Sequence, residues 1–171
     1  MTDDEPQPKK RRLLGFYIAA FVLLLLAWLV LGVVVPHWRS YHRVTRVVGS
    51  GETRTPFHAM VESLGGPEEA VVHIERYLRL PEQWARDKPR ATHILGACGP
   101  GAVPVLAKAL RNENPRVRLY AAIGLGMQAK HSAPAVGALE SALSDKDRNV
   151  RHEAAAAIKK LTFAESAKSP K

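Results

Sequence analysis

The sequence predicts an all-α chain: a single transmembrane helix near the N-terminus, then a short α-solenoid of about three stacked helix pairs. Three observations carry that prediction. Residues 13–35, "LLGFYIAAFVLLLLAWLVLGVVV", contain no charged residue. A pattern within residues 103–126 returns 33 positions later. The apolar content of 46% includes only 6% aromatics. The interior must therefore be aliphatic and alanine-rich, which suits closely packed helices.

As a helix, residues 13–35 would cover roughly 34 Å, slightly more than a ~30 Å hydrocarbon core. Phe16, Tyr17 and Trp38 flank the run where amphipathic rings sit at headgroup level. The run is too long for the apolar region of a cleaved signal peptide, and no small-x-small site follows it. The expectation is an uncleaved anchor. Lys9, Lys10, Arg11 and Arg12 lie on its short side, and Arg39, Arg43, Arg46 and Arg54 on the other. The first four are contiguous and tight against the run, which places the N-terminus in the cytoplasm and the rest of the chain outside.

The expected organisation follows: a basic tail over residues 1–12, the membrane span over 13–35, and a juxtamembrane connector over 36–54. A helical repeat domain covers 55–162 and a disordered tail 163–171. Net charge is +9. By thirds it is +4 over residues 1–50, −1 over 51–100 and +6 over 101–171. The first cluster flanks the apolar run. The second reads as solvated helix faces and a lysine-bearing tail.

Within the repeat domain, Thr55 is the expected N-cap of a helix with Pro56 at its first position and Gly65 beyond its end. The next helix opens with Pro67, carries Glu68 and Glu69 in its first turn and stops before Pro81. Its residues Val71, Ile74, Tyr77 and Leu78 keep helical spacing. Asp87 opens a third helix with Ala91, Leu95 and Ala97 inward, closed by Gly99. A fourth holds Val103, Leu106, Ala109 and Leu110. A fifth, "NPRVRLYAAIGLGMQA", holds Val117, Ala121, Ala122 and Leu125.

At an offset of 33, Val103, Leu106, Ala109 and Leu110 fall on Val136, Leu139, Ala142 and Leu143. The turn "RNEN" falls on "SDKD", and Val117-Arg118 falls on Val150-Arg151. Each unit is two helices and a tight turn. An isolated pair cannot bury its apolar faces, whereas a stack of pairs can, and about three are needed. Ala121, Ala122, Ala154 and Ala155 are expected inward, where their size lets helices approach closely.

"GPGAVPVLAKALRNENPRVRLYAAIGLG" resembles the short bacterial HEAT repeat of phycobilin lyase subunits and related scaffold proteins. That pattern is an apolar first helix, an acidic or Asn/Pro turn, then Val-Arg-x-x-Ala-Ala heading the second helix. Pro115, Val117-Arg118 and Ala121-Ala122 match it, as do Asp147, Val150-Arg151 and Ala154-Ala155. The first unit departs, with a longer turn holding Trp84 and no Val-Arg. The resemblance covers residues 66–162 and implies a solenoid scaffold.

It also raises one catalytic question. Deoxyhypusine hydroxylase has similar repeats, in which His-Glu pairs bind two irons. Here His152-Glu153 stands alone, because the matching positions one unit earlier are Leu119-Tyr120. A di-iron centre needs about six to eight ligands from several donors. No metal, cofactor or catalytic residue is therefore expected. His37, His42, His58, His73, His93 and His131 show no metal-ligand spacing. Gly124-Leu125-Gly126 reads as small-residue packing, not a phosphate cradle. The one cysteine, Cys98, rules out an internal disulfide and reads as a small buried hydrophobe.

Arg118 and Arg151 could grip an acidic partner or bond a turn within the stack. Their fixed place in the unit favours the second role. The function expected is a membrane-anchored, non-catalytic scaffold that binds a protein partner. Contact residues expected from position are Arg116, Tyr120, Lys130 and Arg148. Two alternatives stand behind it: anion or nucleic-acid backbone binding by the basic C-terminal repeats, and a lyase-like or metal-dependent enzyme of the HEAT kind.

Overall fold

A computed structural model describes residues 8–49 and 56–167, with side chains from residue 17 onward except at 33 and 37. Thr55, expected as an N-cap, and the end of the tail, 168–171, lie outside the described residues. Among the described residues all regular structure is helical. The chain divides into two compact units, residues 1–39 and 40–171.

The first unit contains α1 (Pro8–Leu29), a π-helical turn (Val30–Val34) and the start of α2 (Val35–Gly49). The single transmembrane helix expected over residues 13–35 is corrected here. No helix among the described residues is long and apolar enough to cross a membrane. The reason lies in the hydrogen-bond ladder. At the end of the π turn the Val35 N–H reaches back to the Val30 carbonyl, a wider loop than the α-helical one. Pro36 follows with no N–H to donate. Residues 13–29 alone stay in α1, about 25 Å of rise, short of a ~30 Å hydrocarbon core. The single-pass localisation, with its cytoplasmic N-terminus and extracytoplasmic domain, falls with the span.

In the second unit, the latter part of α2 buries Val44 and Val48. It is tied to α4 (Pro67–Leu78) by Ser40 Oγ to His73 Nδ1 at 2.9 Å and by Tyr41 stacked on Tyr77 at 6.3 Å. Between them sits α3 (Phe57–Ser63), which buries Met60 and Val61. Gly65 and Gly66 then turn the chain at φ of 102° and 95°, a region that L side chains rarely adopt.

Three helix pairs follow. The first is α4 with α5 (Lys88–Leu95), the second α6 (Val103–Ala109) with α7 (Pro115–Met127), the third α8 (Val136–Ala142) with α9 (Arg148–Ser166). The 33-residue offset holds for the starts of α6 and α8 and for those of α7 and α9. The turns match atom for atom. Asn112 Oδ1 accepts from Asn114 N at 2.9 Å, and Asp145 Oδ1 from Asp147 N at 2.8 Å. Asn114 then caps α7 through Arg116 N at 3.0 Å, and Asp147 caps α9 through Asn149 N at 2.8 Å. Such caps satisfy donors that have no partner within the helix.

Successive second helices stack: α7 lies between α5 and α9. Glycine permits it. A Cβ at Gly96 would lie 3.1 Å from Gly124 Cα, and one at Gly126 would lie 3.4 Å from Ala157. Val117, Ala121, Ala122 and Leu125 are fully buried, as are Val150 and Ala154. Two inward expectations are corrected. Ala155 is exposed, because among the described residues no further helix lies on that side of α9. Ala97 is exposed because α5 has already ended at Leu95.

Candidate binding groove

The second helix of the first pair, α5, is shorter than its successors α7 and α9. Counting back 33 from Pro115 would start α5 near residue 82, yet it starts at Lys88. Residues 82–87 are a non-helical turn in which Lys88 Nζ meets Glu82 at 3.3 Å. Where the second helix of this pair lacks those turns, a groove of about 640 Å³ opens between α3, α5 and α7.

Three of its lining rings form a ladder. The edge of Phe57 meets His93 at 4.4 Å between centroids, and His93 stacks on Tyr120 at 4.7 Å. Burial lowers the His93 pKa from its usual 6.5, which favours the neutral ring at pH 7. Arg86, Arg90 and Arg116 line the groove, against one acid, Asp87. An open groove lined by aromatic rings and guanidinium groups can hold an apolar or aromatic side chain together with a carboxylate or phosphate.

Of the four contact residues expected from sequence, Arg116 and Tyr120 stand in this groove. Lys130, in the turn Ala129–His131, and Arg148, the first residue of α9, are exposed and lie outside it. Sequence reasoning missed Phe57, His93, Arg86 and Arg90. The one usable signal was the long first-unit turn, which marks a place where the stack is incomplete.

Arg118 answers the question about the repeated arginines for the second pair. Its side chain is 6% exposed and that of Asp145 10%. Nε and Nη2 donate to the two Asp145 oxygens at 2.7 and 2.8 Å, and Nη1 to the Asn112 and Glu113 carbonyls at 2.8 and 2.9 Å. These bonds hold the Asp145 carboxyl below its usual range and raise Arg118 further. Here the arginine links two units of the stack.

The groups weighed for chemistry are placed as follows. Cys98 is buried, its thiol directed at the Ile94 carbonyl at 3.5 Å and its pKa pushed up by burial to about 12. His152 is exposed on the first turn of α9, with Glu153 half-buried beside it. Among the described residues no three His, Cys, Asp or Glu side chains are grouped to hold a metal.

Residues 103–170 match the family model for HEAT repeats. The chain carries HEAT-like helical repeats. The match begins at the first residue of α6 and takes in the second and third pairs. The first pair, whose short second helix forms one side of the groove, lies outside it. HEAT repeats are a scaffold fold that is generally non-catalytic. Neither the curated proteins nor the solved structures supply a match.

Proposed function

We propose that this HEAT-like scaffold works by holding an acidic segment of a protein partner, without catalysis, in the groove between α3, α5 and α7. The observation that carries the reading is the combination of Arg86, Arg90 and Arg116 around the Phe57–His93–Tyr120 ladder. Aromatic and arginine side chains in a partly desolvated groove are the residue types that dominate protein interfaces. Arg116 and Tyr120 are the principal contacts. Lys130, in the turn after α7, and Arg148, at the start of α9, add long-range attraction for the same acidic partner.

The test is capture of the partner on immobilised chain, compared with Tyr120→Ala and Arg116→Glu. Both variants should keep the helical spectrum of the parent. Each should weaken capture about thirtyfold, the equivalent of ~2 kcal/mol for a central interface residue. Retention should fall as salt is raised. Equal capture by parent and variants would end the reading.

A further inference from the structure

Arg118 and Arg151 hold the same place in successive units, and only the first is complete. Arg118 is bonded from two sides: by carbonyls of its own turn, and by both oxygens of Asp145 from the turn of the next pair. Arg151 repeats the first half. Its Nη1 donates to the Asp145 and Lys146 carbonyls at 2.7 and 3.2 Å. Among the described residues, its Nε and Nη2 have no acceptor.

The surroundings differ in the same sense. Leu110 is 5% exposed and its counterpart Leu143 is 43% exposed. Ala122 is buried and Ala155 exposed; Leu125 is buried and Ile158 only partly so. In the second pair these positions are covered by the third pair, α8 against α6 and α9 against α7.

We infer that the outer face of α9 and its preceding turn, centred on Arg151 and Ala155, docks a helix pair of a partner protein that carries a carboxylate in its inter-helix turn. The internal precedent dictates that chemistry. Asp145 presents both oxygens to arginine while Oδ1 also accepts from Asp147 N, and Asp147 caps the next helix. An Asp-x-Asp turn therefore supplies a bidentate arginine partner and a helix start together. Ala155 leaves room for a close helix, as Ala122 does for α9. The exposed Arg148 and Lys159 favour an acidic occupant over a basic one. A second copy of this chain lacks that carboxylate where the unit places it. At the matched turn position it offers Asn112, an uncharged amide, and Asp145, which Arg118 already holds. The carboxylate of its first turn, Glu82, is paired with Lys88.

The experiment appends, after Ala167 of the full chain, residues 128–134, the link that joins α7 to α8, and then a duplicate of residues 135–167. Tethering holds the added pair at millimolar effective concentration, so a dock too weak to survive dilution is still detected. Helical ellipticity should rise by the helix content of the added pair, and Tm by about 5 °C or more. Arg151→Gln should remove most of that rise, and so should Asp145→Asn in the appended duplicate. In the parent chain, Arg151→Gln should shift Tm by only a fraction of the shift for Arg118→Gln. An unstructured added pair, a gain that survives Arg151→Gln, or equal shifts for the two arginines in the parent would each overturn the inference. Sedimentation of the parent chain tests the occupant. A monomer supports a separate partner, and a dimer that Arg151→Glu dissolves would overturn that assignment in favour of a second copy.

Discussion

The second and third helix pairs are built on one pattern and sit in two environments. Their first helices start 33 residues apart, their second helices do too, and their turns close with the same bonds. Yet Ala122 is buried and Ala155 exposed, and Arg118 is bonded on both sides where Arg151 is bonded on one. The difference shows what a solenoid residue responds to. Local bonds within a unit repeat whenever the sequence repeats. Burial repeats only when the neighbouring unit is present.

Substitutions at matched positions can break that comparison, and the largest effect belongs to the alanines. Ala122→Asp should unfold the repeat region. It buries an unpaired charge at a cost of several kcal/mol, comparable to the roughly 5–15 kcal/mol that holds a whole domain. Ala155→Asp should stay within about 0.5 kcal/mol of the parent. Urea melts of both variants measure the contrast, and equal losses would mean that α9 is covered on both sides.

The arginines come next. Arg118→Gln breaks a buried, bidentate pair and should cost about 3–5 kcal/mol. Arg151→Gln removes only bonds to two carbonyls and should cost about 1 kcal/mol or less.

The caps sharpen the comparison from the other side, because they do not depend on a neighbour. Asn114→Ala and Asp147→Ala should each cost about 1 kcal/mol in thermal melts. A large inequality between them would show that the turns differ in more than their sequence.

The smallest effect is a pH slope. His93 and His73 both have lowered pKa values, through burial first and, for His73, the nearby Arg43 next. The unfolded chain therefore binds more protons than the fold once the pH falls below about 6.5. Stability should be level above that value and decline as the medium is acidified. His93→Gln should flatten part of the decline. Asp145 acts in a separate window, below its ordinary value of 3.8, where protonation would weaken its bond to Arg118.

Much of this architecture could be read from sequence, and the places where reading failed share a cause. The turns before α7 and α9 were visible because "RNEN" and "SDKD" stand 33 residues apart, whereas the caps that Asn114 and Asp147 supply came from the structure. Val117, Ala121, Val150 and Ala154 were visible as core because helical spacing keeps them on one face. Ala155 was misassigned because the same spacing holds whether or not another helix lies beyond it. Residues 13–35 were misassigned because a count of uncharged residues is blind to the change of ladder at Val30. Arg116 and Tyr120, which line the groove, were expected as partner contacts from their place on a second helix. Phe57 and His93 were not, since they reach Tyr120 from two other helices and no fixed spacing relates the three.

By itself, the sequence determined the all-helical class, the 33-residue unit and its turns, and the buried stripe Val117, Ala121, Ala122 and Leu125 of α7. These depend on short-range bonds and on residue size, which the chain carries wherever it goes. Only the tertiary structure decided which arginine is saturated, which alanine is covered, and where three rings and three guanidinium groups meet. Those outcomes depend on which elements come to lie beside one another, and stacking fixes that only after the local bonds have formed.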